Sequence, residues 1–236
     1  VAIPVKIIYR PTARRLRLRF DCVSGSAVLT APPRTTASFI ARFLDGQRDW
    51  LEQQCERALT PLLFVPDMSL ELLGQTVFLR HHPKAVEKIA EPDSLIITGS
   101  REVFSKRVER ALRRHALAQF TRWADEDAGN LGLPPCPVKV RDTRSRWGSC
   151  SARSGISLSW RLVFAPVMVA RYVVAHEVAH RRHMNHSPAF WATVRQLVGD
   201  PSPSRKWLRD HGLELFRYGR DASLLEGVAA LPPLAA

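Results

Sequence analysis

Apolar and basic positions alternate near the start of the chain, where Leu16, Leu18 and Phe20 are interleaved with Arg15, Arg17 and Arg19. That is the pattern of a strand with one wet face. Residues 3–9 share strand composition, and Ala27–Thr30 is a third short run ending at Pro32-Pro33. From about Thr36 to Leu59 the spacing turns helical, with Phe39, Ile40, Phe43, Leu44, Trp50 and Leu51 on one stripe and a break at Gly46. Leu70–Leu73 and Thr76–Leu79 flank Gly74-Gln75 and predict a hairpin; Ser94–Thr98 is a last short strand before Gly99.

Residues 101–128 read as one long helix with Val103, Phe104, Val108, Ala111, Leu112, Ala116, Phe120 and Trp123 inward and arginines on the other face. The stretch from Gly129 to Pro137 breaks it. Val138–Arg141 and Ile156–Arg161 have strand patterns on either side of a Gly/Ser-containing turn region, and Val167–Met184 is helical again behind Pro166. Ser187-Pro188 opens a further helix to about Val198, with Ser as N-cap and Pro in the first helical position, and Ser204 begins a short one that Gly212 stops. The sum predicts an α+β fold: a β-rich N-terminal region over 1–99, a second domain over 100–218 and a flexible tail over 219–236.

Composition narrows the class. Apolar residues at 45% and charged residues at 24% are ordinary for a globular protein and exclude collagen-like, coiled-coil and disordered chains. No apolar run approaches the roughly 18 residues needed to span a bilayer, so no membrane partner is expected. Cys22, Cys55, Cys136 and Cys150 form no C-x-x-C pair and read as reduced thiols, in keeping with a cytoplasmic location. The outlier is a net charge of +13. It makes DNA or RNA a candidate partner, with Arg107, Arg110 and Arg114 on the long helix as the residues to carry the contact and a merely solvated basic face as the alternative.

Four of the eight histidines fall within His176-Glu177-Val178-Ala179-His180-Arg181-Arg182-His183-Met184-Asn185-His186. On a helix, positions i and i+4 share a face, so the imidazoles of His176 and His180 can converge on one ion. Glu177, one position further round, is off that face and suited to act as a general base on water. Zinc in such a site acidifies bound water and polarises the scissile carbonyl. A catalytic site needs a third protein ligand and one open position. His186 fills that role if the helix stops after His180, and Asn185 and Ser187-Pro188 offer the stop; His183 competes for it from the helical face itself. A structural site would need a fourth ligand, for which Cys150 is the candidate thiol.

Several segments in order and spacing resemble the YgjP-type metallopeptidase family, related to SprT-like zincins. They are Arg146-Trp147-Gly148-Ser149-Cys150, Ser159-Trp160-Arg161-Leu162, Ala165-Pro166, His176–His180 and Asn185-His186-Ser187-Pro188-Ala189-Phe190-Trp191. The likeness extends more weakly upstream through Arg14–Arg19, Ala31-Pro32 and Arg48-Asp49-Trp50, and so covers about residues 5–218. It implies a zincin-like catalytic core, a small sheet beside the metal-binding helix, and it supports His186 as third ligand. Ser159 stands where Asn is common in relatives, and His183 stands where metzincins of the same ligand spacing have Gly.

The function expected is a zinc-dependent peptidase with one Zn2+ per chain, acting on a protein or peptide substrate. SprT-like relatives extend the expectation to proteins associated with nucleic acid. Trp147, Gly148 and Ser149 are candidates for an edge strand that pairs with an extended peptide. Arg161, Tyr172 and His183 are unranked candidates for stabilising an oxyanion. The competing function is a basic nucleic-acid-binding module with a structural zinc site and no hydrolysis. Glu177 separates the two, since a structural site has no use for a carboxylate beside an open position.

Overall fold

The structure, a computed structural model, describes residues 3–219 except 23, 57, 83–87, 91, 92, 144 and 152, and only the backbone of 88–90. The expected tail beyond 219 lies outside the described residues. The chain forms two compact units, Val1–Leu63 with Phe216–Ala236 and Phe64–Leu215. The units therefore divide the chain at other positions than residue 99, and the hairpin region of 69–97 belongs with the histidine helix.

In the first unit, β1 (Val5–Tyr9) runs parallel to β3 (Ser26–Ala31), which pairs antiparallel with β2 (Arg17–Asp21). The alternation in β2 holds: Arg17 and Arg19 are exposed while Leu18 and Phe20 turn inward. Helices α1 (Ala37–Asp45) and α2 (Arg48–Glu56) follow, the first capped by the Thr36 hydroxyl accepting from the Phe39 N–H. Ile40, Leu44 and Leu51 bury against Val5, Ala27 and Leu29.

The second unit begins with β4 (Ser69–Leu72) and β5 (Gln75–His81), followed by β6 (Lys88–Ala90) and β7 (Ser94–Ile97), in the order β4-β5-β7-β6. The hairpin turn is Leu73-Gly74 rather than Gly74-Gln75, with φ of 50° and 77°, the two positive angles of a type I′ turn. Helix α3 (Phe104–Asn130) buries the expected Phe104, Val108, Ala111, Leu112, Ala116, Phe120 and Trp123, whereas Val103, expected inward, is exposed in a 3-10 turn ahead of the helix. Gly129 does not break it; the helix passes through to Asn130 and Gly132, at φ 66°, turns the chain.

Next comes a three-stranded sheet, β8 (Val138–Arg141), β9 (Gly148–Ser151) and β10 (Gly155–Ser159), in the order β8-β10-β9. Residues 160 and 161, expected to continue a strand, instead begin a buried 3-10 turn, Trp160–Phe164. Helix α4 (Val167–Ala179) is apolar nearly all round and buried nearly all round. It ends at Ala179, five residues before the expected Met184, because the chain turns after His180. Helices α5 (Pro188–Val198), with Ser187 as N-cap, and α6 (Ser202–His211) complete the unit.

Polar contacts hold α4 in place. Arg171 donates to the fully buried Asp127 of α3 at 2.9 Å, and Arg182, just past the helix, donates to the Leu131 carbonyl at 2.9 Å. The Ser204 hydroxyl of α6 donates to the Met168 carbonyl at the start of α4.

Two glycines should respond oppositely to alanine. Gly155 has φ 74°, and a β-carbon there would collide with the Pro137 carbonyl oxygen. Gly155→Ala is expected to cost on the order of 2–4 kcal/mol, through strain and a forced shift of β8. Gly129 is helical with open space around it, so Gly129→Ala should gain about 0.5–1 kcal/mol. Urea unfolding of the two variants checks both signs.

Candidate metal centre

Helix α4 supplies His176, Glu177 and, at its C-cap, His180. The turn after it is closed by Arg181, Arg182 and His183 N–H groups returning to the Val178 and Ala179 carbonyls at 3.0 Å. That reversal brings His186 back, so that one ring nitrogen from each of His176, His180 and His186 lies within 4.8 Å of the others. His183 is not in the group; its carbonyl accepts from His180 Nδ1 at 3.0 Å. Cys150 is not in it either.

The donor set fits a divalent ion. The Nε2 atoms of His176 and His186 face each other at 3.2 Å, close to the separation of about 3.3 Å between two nitrogens at 2.0–2.1 Å on one tetrahedral ion. With the Nδ1 proton of His180 given to a carbonyl, its Nε2 lone pair is left for the metal. His176 Nδ1 faces the Tyr172 hydroxyl at 3.4 Å, which orients that ring in the same sense. Phe190 is the floor of the site, its centroid 4.6–4.9 Å from all three imidazoles. Trp191 stacks on His186, and the Arg205 guanidinium lies over Trp191 at 4.8 Å.

Burial sets the protonation states. His176 is pushed down to about 4, first by desolvation and then by His180, His186 and Arg205. His180 is lowered for the same first reason. Both rings are therefore neutral, as ligands must be. Glu177, 5% exposed in an apolar helix, is raised to about 7 by desolvation against the opposing pull of Arg146. Its Oε2 has no hydrogen-bond partner among the described residues.

The helix lies against β9. A β-carbon on residue 148 would sit 2.5 Å from Glu177 Oε1 and 2.6 Å from its Cγ, so glycine is what lets the carboxylate pass. A cleft of about 220 Å3 opens here, lined by Trp147, Gly148, Tyr172, His176, Glu177 and Leu208. Strand β9 is the edge of its sheet. The Ser159 N–H donates to the Trp147 carbonyl at 2.7 Å, and this fixes Trp147, Ser149 and Ser151 as the residues bonded to β10. By alternation Gly148 and Cys150 turn their N–H and C=O groups to the open side.

The other sequence candidates lie elsewhere. Arg161 is 2% exposed, and its fork donates to Asp142 at 2.6 and 3.1 Å and to the Leu215 carbonyl. Of the oxyanion candidates only Tyr172 lines the cleft. Arg110 and Arg114 are exposed on α3, whereas Arg107 turns in to Thr98 and lies against Gly99. Sequence reasoning did not find Phe190 or Leu208 as parts of the site; Phe190, four residues beyond His186 and in the first turn of α5, was within reach of it.

Three imidazoles with a buried carboxylate at an open sheet edge define a metal-dependent hydrolase. Residues 14–211 match the family described as YgjP-like, metallopeptidase domain, and the chain belongs to that family. No curated protein matches the chain. Among solved structures, the metallopeptidase zymogen of Pyrococcus abyssi abylysin is similar over 39% of this chain and 92% of its own, at 21% identity and a TM-score of 0.35. No helix among the described residues is long and apolar enough to cross a membrane.

The raised Glu177 gives a pH signature in metal-free protein. Its protonated form is the one the fold accommodates, so its contribution is intact below the unfolded value near 4.5 and is lost as pH rises through about 7. Glu177→Gln should therefore gain on the parent by on the order of 2–3 kcal/mol between pH 4.5 and 8.5. Denaturant titrations at the two pH values test this, and a pH-independent difference would contradict it.

Proposed function

We propose that this metallopeptidase is a zinc enzyme that hydrolyses peptide bonds in extended substrates, with His176, His180 and His186 as ligands and Glu177 as general base. The observation that carries the reading is Glu177. Its carboxylate is buried beside the three imidazoles and unpartnered at Oε2, and a structural site would gain nothing from it. Imidazole donors with a space left open suit Zn2+ bound one per chain, where the ion supplies Lewis acidity toward water and carbonyl oxygen.

The chain's own residues do the rest. Glu177, with a proton affinity near neutrality, takes a proton from the attacking water and returns it to the leaving amine. Gly148 and Cys150 offer main-chain groups to an extended peptide, which would add a strand to β9. Burial pushes the Tyr172 phenol up, so it stays protonated and keeps a donor beside the cleft. We assign to it the holding of the His176 ring through Nδ1, which keeps Nε2 turned to the metal. Phe190 and Trp191 keep the ligand rings in an apolar surround.

Elemental analysis should find one zinc per chain. His176→Ala, His180→Ala and His186→Ala should each lose most of it and His183→Ala should not; the reverse for the last two would overturn the third ligand. Glu177→Gln should keep the metal and lose peptide hydrolysis by about 10² or more. Tyr172→Phe should weaken zinc binding by about tenfold or more, read by competition with a chelator. A Glu177→Gln protein that cleaves as fast as the parent would sink the mechanism. Gly148→Ala should lower kcat by about tenfold or more at full metal content, because the carboxylate must move aside.

A further inference from the structure

A second cavity, of about 470 Å3, opens at the end of β9 away from Gly148. Cys136, Cys150, Arg153, Gly155, Arg181 and Met184 are among its walls, and no carboxylate lines it. Arg181 Nη1 is buried and has no hydrogen-bond partner among the described residues. A guanidinium N–H removed from water without an acceptor costs free energy, and an anion entering the cavity would remove that cost.

The cavity is in register with the metal centre. Glu177 lies in the helix and Arg181 four residues on, in the turn that follows it. Gly148 and Cys150 are two apart on the strand, about 6.7 Å, and lie on the same side of it. Gly148 meets Glu177, and Cys150 shares the cavity with Arg181. Two residues along β9 thus lead from Glu177 to Arg181, and a peptide laid along the open edge of β9 with its scissile bond at Glu177 passes Arg181 two or three residues away.

We propose that this cavity is a carboxylate-binding subsite of the peptide cleft, in which Arg181, seconded by Arg153, takes an acidic group of the substrate two or three residues from the scissile bond. The proposal rests on the peptidase reading above. Arginine suits the role because its planar fork can meet both oxygens of a carboxylate. The carboxylate is that of an Asp or Glu side chain or of the peptide's own C-terminus.

The test uses the metal-loaded full chain and internally quenched peptides of neutral sequence. A single Glu is moved through the four positions on each side of the cleaved bond, with Gln at the same positions as control, and each peptide is made with a free and an amidated C-terminus. At one position two or three residues from the bond, kcat/KM for Glu should exceed that for Gln by about tenfold. Arg181→Gln should bring the ratio to near one and Arg181→Glu should invert it in favour of Gln. A preference in amidated peptides assigns the carboxylate to a side chain; a preference only for a free terminus assigns it to the chain end.

Fluorescein-labelled versions of the peptides, titrated into Glu177→Gln protein by anisotropy, read the same site without turnover. If no peptide is cleaved but Glu peptides bind more tightly than Gln peptides in an Arg181-dependent way, the carboxylate site stands and the peptidase reading falls. Cleavage that needs Glu177 but shows no Glu preference in either assay, or a preference that survives Arg181→Gln, overturns the subsite and leaves the peptidase.

Discussion

The close approach of Gly148 to the Glu177 carboxylate is the constraint on which the site depends. It places an edge strand directly against the helix that carries His176, Glu177 and His180, so in the proposed mechanism the peptide-pairing edge and the proton acceptor would be positioned together. It also excludes water from one side of the carboxylate. That desolvation lifts Glu177 to about 7, the range in which a group can accept a proton and give it back at neutral pH. A larger side chain at residue 148 would both displace the Glu177 carboxylate and open the contact.

Everything else holds that contact and the three rings in place. Helix α4 is buried on nearly all sides, an environment that would reject His176 and Glu177 were they charged and solvated. Asp127 and Leu131 fix the helix at its two ends through Arg171 and Arg182. The turn after His180 does double duty: it brings His186 back beside His176 and His180, and its His183 carbonyl sets the tautomer of His180. Phe190 then closes the floor with an apolar face. The same turn carries Arg181 away from the ligands and into the neighbouring cavity.

The metal helix and its neighbours were largely legible in the sequence, because their signals are local. His176 and His180 carry a spacing that helix geometry explains, and Ser187-Pro188 is a cap that reads directly and follows the turn that returns His186. Strand β9 was less so: Gly148-Ser149-Cys150-Ser151 has neither alternation nor a large apolar residue, and its pairing with β10 is what makes it a strand. Arg161 looked available because its partner Asp142 lies 19 residues upstream, beyond any local pattern. Gly129 read as a break because glycine ends many helices, whereas here the chain turns only at Gly132. The grouping of 69–97 with the histidine helix depends on contacts between distant segments, such as the Leu73 N–H on the Val163 carbonyl, which periodicity does not record.

The central claim is a three-imidazole metal site with room left for water and substrate, and X-ray absorption at the zinc edge of the loaded protein tests it most directly. The account expects three nitrogen scatterers with the multiple-scattering signature of imidazole at about 2.0–2.1 Å and one further oxygen, with no sulfur. A sulfur shell near 2.3 Å would bring Cys150 into the site, and a fourth imidazole would bring in His183. Either result would close the open position and contradict the account.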